Sequence, residues 1–303
     1  MNNTRKYSPT VSLAMLVSLV FSCPLAPAKS IRTRELTTVA GVLLGPCGSA
    51  AAQGPNGSDD DYSNASIDNQ IRIGRDELTA TAATVVFRNT VENAGQIDDA
   101  YIITTPSLPP AFTVEVSTDF GEHYTPLDRW TSSVVLPVSY RASTTFFVRI
   151  TAPAGLKVLT AYDTVIRATS TIDPAVTNDT IDRLYAGFVR LESAVSLVGL
   201  EGASDISKAL PGSEIEFAVR YTNISSAAGV GNSLLTARNL VINENGNAAP
   251  NNWGTTTEHI VGASDNQGGY IVGDREGSTS LSLVVTMLEP GQSGVFRFKR
   301  KIK

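Results

Sequence analysis

A period of two, entered twice from a Pro-Gly turn, constrains this chain more than any other feature. Ala209 to Asn223, ALPGSEIEFAVRYTN, and Leu288 to Lys303, LEPGQSGVFRFKRKIK, each pass from a turn signal into alternating apolar and polar residues, the mark of a half-buried strand. In the first, Ile215, Phe217, Val219 and Tyr221 share one face, and Glu214, Glu216, Arg220 and Thr222 take most of the other. In the second, Phe296, Phe298 and Ile302 point in, while Arg297, Lys299, Lys301 and Lys303 point out. Successive side chains of a strand face opposite ways, so both segments can close one core while showing charge to water. They are expected to be strands of a sandwich.

The same landmarks occur earlier in the chain. In TATAATVVFRNTV and the residues after it, Phe87 and Asn93 stand as Phe217 and Asn223 do later. Ser143, Phe146 and Val148 of YRASTTFFVRI match Ser293, Phe296 and Phe298. Two landmarks that keep their order while the space between them changes imply two copies of one unit with different loops. Between them YIITT, FTVEV and TSSVVLPV read as short strands, and Ala161 to Ser170 and Asp179 to Gly187 extend the first unit. No stretch sustains a helical period. The expected fold is all-β: two tandem Ig-like antiparallel β-sandwich domains, residues 77–188 and 189–303, with seven or so strands each.

PGSEIEFAVRYTN followed by LEPGQSGVFRFKRKIK, with VRLESAVSLVG as a first strand and TARNLVINENG after the Tyr-Thr-Asn corner, resembles the bacterial cell-surface repeat known as domain of unknown function eleven. The resemblance covers Val189 to Lys303. It implies an Ig-like fold, usually in tandem on exported envelope proteins, and no assigned activity.

The amino-terminal stretch carries two export-like segments. Arg5 and Lys6 precede VSLAMLVSLVFS and an Ala26-Pro27-Ala28 site; Lys29, Arg32 and Arg34 precede TTVAGVLLG and Ala50-Ala51-Ala52. Residues 1–52 are therefore expected to be an export segment, cleaved after Ala52 or after Ala28, with Cys23 in a weak lipoprotein-like context. Neither apolar run reaches the ~20 residues that span a bilayer, so the mature chain is expected to have no transmembrane span and to reside in the cell envelope, on the cell surface or in the medium. Residues 53–76, beginning QGPNGSDDDYSNASIDN, read as a polar linker. Both cysteines, Cys23 and Cys47, fall before Ala52, so cleavage there would leave neither a disulfide nor a cysteine zinc site. The chain is 42% hydrophobic and 17% charged with a formal charge of −5; that acidic balance argues against nucleic acid as a partner.

Motifs for chemistry are sparse. His123 and His259 lie far apart without metal-ligand spacing, and read as surface or turn residues. Gly291-Gln292-Ser293-Gly294 lacks the spacing of a nucleophile elbow, and GVGNS lacks the lysine of a phosphate loop. No cofactor, metal or enzymatic activity is expected. Two regions carry candidate binding residues. The long insert Asn243 to Gly277 holds Trp253 and Tyr270, which could stack on sugar rings or else cover an open core edge. The terminal cluster Arg297, Lys299, Arg300, Lys301 and Lys303 could hold an anionic envelope polymer or a neighbouring protein, or else form a solvated, edge-protecting strand face. The expected role is a non-catalytic structural or interaction protein of the envelope, with envelope components, neighbouring surface proteins or polysaccharide as partners. The alternative is an adhesive or carbohydrate-binding protein using residues 243–277.

Overall fold

A computed structural model describes residues 39–56, 59–67, 72–73, 82–128, 132–198, 209–226, 229–248 and 252–303; the run from Arg5 to Ala28 lies outside them. The strands are β1 (Val42–Pro46), β2 (Tyr62–Ser66), β3 (Arg72–Ile73), β4 (Ala83–Asn93), β5 (Asp99–Ser107), β6 (Thr113–Ser117), β7 (Thr125–Leu127), β8 (Val134–Val138), β9 (Ser143–Ala152), β10 (Ala161–Ser170), β11 (Thr177–Tyr185), β12 (Val189–Leu197), β13 (Glu214–Asn223), β14 (Ala237–Asn245), β15 (Thr257–Asp265), β16 (Tyr270–Val272), β17 (Ser280–Leu288) and β18 (Ser293–Ile302), with a single helical turn, α1 (Trp253–Thr256), before β15. The first sandwich packs the sheet β1-β4-β9-β6-β7 on β2-β11-β10-β5-β8, and the second combines β15-β18-β13-β12-β3 with the shorter β14-β17-β16. The fold is all-β and dominated by antiparallel pairs, with two parallel pairings among the described residues, β2 on β11 and β3 on β12.

The alternation read from the sequence sets both cores. Phe87, Val91, Phe146, Val148 and Ile150 are buried in the first, and Val219, Tyr221, Phe296 and Phe298 in the second. The duplication is visible in the register. Phe87 pairs with Val148, and Phe217 pairs with Phe298; Glu92 pairs with Ser143, and Thr222 with Ser293. Each copy ends its strand on a buried asparagine that ties three chain segments together. Asn93 Nδ2 donates to Ile97 O (2.8 Å) and Val138 O (3.0 Å), and its Oδ1 accepts from the Gly95 amide (2.9 Å). Asn223 Nδ2 donates to Leu235 O (2.7 Å) and Leu288 O (3.0 Å), and its Oδ1 accepts from the Ser225 amide (3.0 Å). A buried amide side chain that satisfies otherwise orphaned carbonyls is worth keeping in both copies.

The duplication also corrects the amino-terminal reading. Val42 pairs with Asn93 as Val189 pairs with Asn223, and the Ala94 amide donates to Gly41 O as the Ile224 amide donates to Phe188 O. β1 is thus the counterpart of β12, the opening strand of a sandwich, and its Leu44 is fully buried. Within the apolar run taken for a second export segment, Val42 and Leu44 belong to the core. Cys47 follows it as an exposed free thiol, so a chain that keeps β1 keeps one cysteine.

Part of the segment expected to be a linker forms strands. Tyr62 is buried and β2 runs parallel to β11, with Ile181 opposite Tyr62 and Tyr185 opposite Ser66. β3 then joins the second sandwich, placing Arg72 and Ile73 opposite Arg190 and Leu191. Polar composition concealed these strands because an edge strand contributes backbone hydrogen bonds on one side and needs few apolar side chains. The two sandwiches also touch through the loop after β13. The Tyr62 amide donates to Asn232 Oδ1 (2.9 Å), the Asn64 amide to Ser233 Oγ (2.7 Å), and the Gln53 amide to Val230 O (2.8 Å).

Candidate functional site

β18 continues its alternation past Phe296 and Phe298, so the next inward position is Arg300. Its cross-strand neighbours are Ile215 on β13 and His259 on β15. At 1% exposure it is the largest fully buried side chain described. The guanidinium is held by neutral oxygens: Nε donates to Thr257 Oγ1 (2.5 Å), Nη1 to Ser278 O (2.9 Å) and Nη2 to Thr257 O (3.1 Å). It lies 4.1 Å from the centre of a Trp253 ring, a cation–π contact strengthened where water is excluded. Burial pulls its pKa down to about 10, which leaves it a cation at neutral pH. Among the described residues no carboxylate lies within ion-pair reach of it.

Trp253 reaches this position from α1 and is 4% exposed, with its ring centre 6.1 Å from that of Phe217 and 5.7 Å from that of Phe298. Gly246 makes room for the indole, since a Cβ there would fall 2.2 Å from Trp253 Cε3. The indole Nε1 has no partner among the described residues. His259 is also interior: its ring is fully buried, with Nε2 2.7 Å from Asp274 Oδ1 and Nδ1 unpartnered. Burial works to raise the Asp274 carboxyl, but hydrogen bonds from His259 and from the Ala263 and Gly262 amides outweigh it and hold the group below the usual carboxylate range. Beside these groups opens a cleft of about 340 Å³, walled by Thr257, Glu258, His259, Glu276, Arg300 and Lys303 among others.

The structure therefore brings Trp253, Arg300 and Lys303 to one end of the second sandwich and separates the other candidates from them. Trp253 lines the core and offers no exposed face for stacking. Tyr270 is 70% exposed on β16, in the opposite sheet. Arg297 is ion-paired to Glu216 (2.8 Å) on the outer face, and Lys301 stands opposite Glu214 and Glu258. That face alternates charge and is no continuous basic stripe; Arg300 does not belong to it. His259, read from the sequence as a surface or turn residue, is buried. The signal for both was present: Arg300 and Phe298 share a phase, and His259 falls in phase with the buried Thr257.

The first sandwich buries a different polar group. Asn89 Nδ2 donates to Asp182 Oδ2 (3.0 Å) and Thr180 Oγ1 to Asp61 Oδ2 (2.6 Å), while Asp61 Oδ1, Asn89 Oδ1 and Asp182 Oδ1 have no partner among the described residues. Burial pushes Asp61 up to about 7 and Asp182 up to about 8. Elsewhere, Asp119, Glu122 and His123 come within 4.8 Å of one another on an exposed turn. Among the described residues no helix is long and apolar enough to cross a membrane.

No family model matches the chain, and no curated protein matches it significantly. Among solved structures it is similar to the C-terminal domain of the Streptococcus agalactiae AgI/II polypeptide BspA, with 8% identity, a TM-score of 0.38, and coverage of 87% of this chain and 91% of that one. It is also similar to the C-terminal domain of the Streptococcus pyogenes antigen I/II-family protein AspA, with 8% identity, a TM-score of 0.37, and coverage of 88% and 92%. The N-terminal domain of PorA shares 10% identity at a TM-score of 0.29, over 48% of this chain and 98% of its own.

Proposed function

We propose that this protein is a non-catalytic structural and interaction component of the bacterial cell envelope, exported through the segment ending at Ala28. The observation that carries the reading is the pair of duplicated sandwiches behind an export-like stretch, Arg5 and Lys6 followed by VSLAMLVSLVFS and Ala26-Pro27-Ala28. Among the described residues His123 meets Asp119 and His259 meets Asp274. The protein's partners on this reading are envelope components or neighbouring surface proteins.

A carbohydrate-binding role is the second reading, and the open cleft beside Arg300 favours it over the Trp253 and Tyr270 platform, because only Tyr270 of that pair is exposed. Mass spectrometry of the native protein from cell fractions tests the main reading. Recovery from the envelope or medium with an amino terminus at Lys29 is expected; a full-length protein confined to the cytoplasm would overturn it.

A further inference from the structure

The two copies of the fold act as each other's control. The position in β9 that corresponds to Arg300 is Ile150, paired with Val85 on β4 and Val114 on β6. Ile150 and Val114 are buried among other aliphatic side chains. The second sandwich replaces this layer with Ile215, Arg300 and His259 and sets Trp253 beneath the arginine. A buried guanidinium without a counter-charge costs stability relative to packed aliphatics of similar volume. Local violations of core chemistry in an otherwise consistent fold concentrate at functional sites.

The unsatisfied groups share a direction of chemistry. Arg300 has five N–H donors, of which three are used within the protein. Lys303 adds an exposed ammonium on the same cleft, without an ion pair among the described residues. The same cleft is also lined by Glu258, Glu276 and Thr279, which would repel a densely charged phosphate chain but accept hydrogen bonds from hydroxyl groups. Thr257 fills the Nε–Nη2 edge of the guanidinium, so one N–H on each Nη is left for an anion, and the volume falls in the range of small-ligand clefts.

We propose that the cleft binds a carboxylated sugar unit, its carboxylate on Arg300 and Lys303 and its hydroxyls on Glu258, Glu276 and Thr279, as in a uronic-acid residue of an acidic polysaccharide. This rests on the reading of the protein as an envelope interaction module. Galacturonate trisaccharide, titrated into the purified mature protein by calorimetry, is the test. The wild type should bind saturably, with affinity falling about ten-fold or more for the methyl-esterified trisaccharide and for the Arg300→Ile/His259→Val variant, which copies the apolar layer of the first sandwich. Thermal melting shows whether that variant is folded. Lys303→Ala, at an exposed rim position, keeps the test open if it is not, and should weaken binding about three-fold with an unchanged melt. No saturable binding by the wild type, equal binding of the methyl ester, or affinity unaltered by these substitutions would overturn the assignment, as would equal competition by inorganic phosphate. The fractionation experiment reads out independently, so an enveloped protein that ignores galacturonate defeats this inference and leaves the broader one standing.

Discussion

At the scale of single residues, Asp182 and Asp61 have the clearest measurable consequence. Both are held in the interior of the first sandwich with one oxygen unpartnered, and burial raises them to about 8 and about 7. The folded state therefore binds protons that the unfolded chain, with carboxyls near the ordinary value of ~3.9, gives up. Their contribution is fully present below about pH 4 and is lost as the pH rises toward 8. The melting temperature, followed by circular dichroism, should thus decline over that window. Asp182→Asn should flatten the decline and raise the value at pH 8 by about 4 °C, as ~1–2 kcal/mol does in a protein of this size. Its new amide N–H can also reach for an orphaned oxygen. A wild-type profile flat from pH 4 to 8 would contradict this account. Arg300 is the opposite kind of residue: it stays charged, and its cost persists at every ordinary pH.

Among the elements, β1 decides where the folded protein begins. It fills the place that β12 fills in the second copy, and removing it would take Leu44 and Val42 from the core and expose the backbone edge of β4. Each lost aliphatic side chain costs about 3 kcal/mol, a large part of the stability of a domain. A chain starting at Lys29 should give a cooperative melt with a β-type circular dichroism spectrum. One starting at Gln53 should melt at least 10 °C lower or fail to fold its first sandwich; equal melts would refute the role given to β1. Why β1 escaped recognition is physical. VAGVLLG is short, apolar and flanked by small residues, and both a buried strand and a signal core have that composition. β4, β9, β13 and β18 were legible because one face of each is wet, and their pairing could be read from the matched Phe and Asn landmarks. Arg300 could have been found by the same alignment with Ile150, whereas the burial of Trp253 could not, since an aromatic ring in a polar loop looks alike from sequence whether it faces inward or outward.

For the whole molecule, the direct step from Tyr185 at the end of β11 to Val189 at the start of β12 is only one of the connections. β2 belongs to the first sandwich, β3 to the second and β4 to the first again, so the chain passes between the two units three times, counting the step from β11 to β12. Hydrogen bonds from Tyr62, Asn64 and Gln53 to the loop holding Asn232 and Ser233 add to this. Arg183 also reaches Ser226 Oγ (2.8 Å). Small-angle scattering should fit one dominant arrangement of the sandwiches. Asn232→Ala/Ser233→Ala should broaden the distance distribution modestly without unfolding either unit, because the chain passages remain. A broad, tether-like distribution in the wild type would contradict the reading.

The excursion of β3 onto β12 also bears on how such a chain can be inherited. Beads on a string can be duplicated, shuffled or lost by a cut at any junction between them. Here no single cut separates the two sandwiches, because a break at Gly187 leaves one strand of the second unit encoded inside the first. A rearrangement that keeps both cores whole therefore has to move the two sandwiches together.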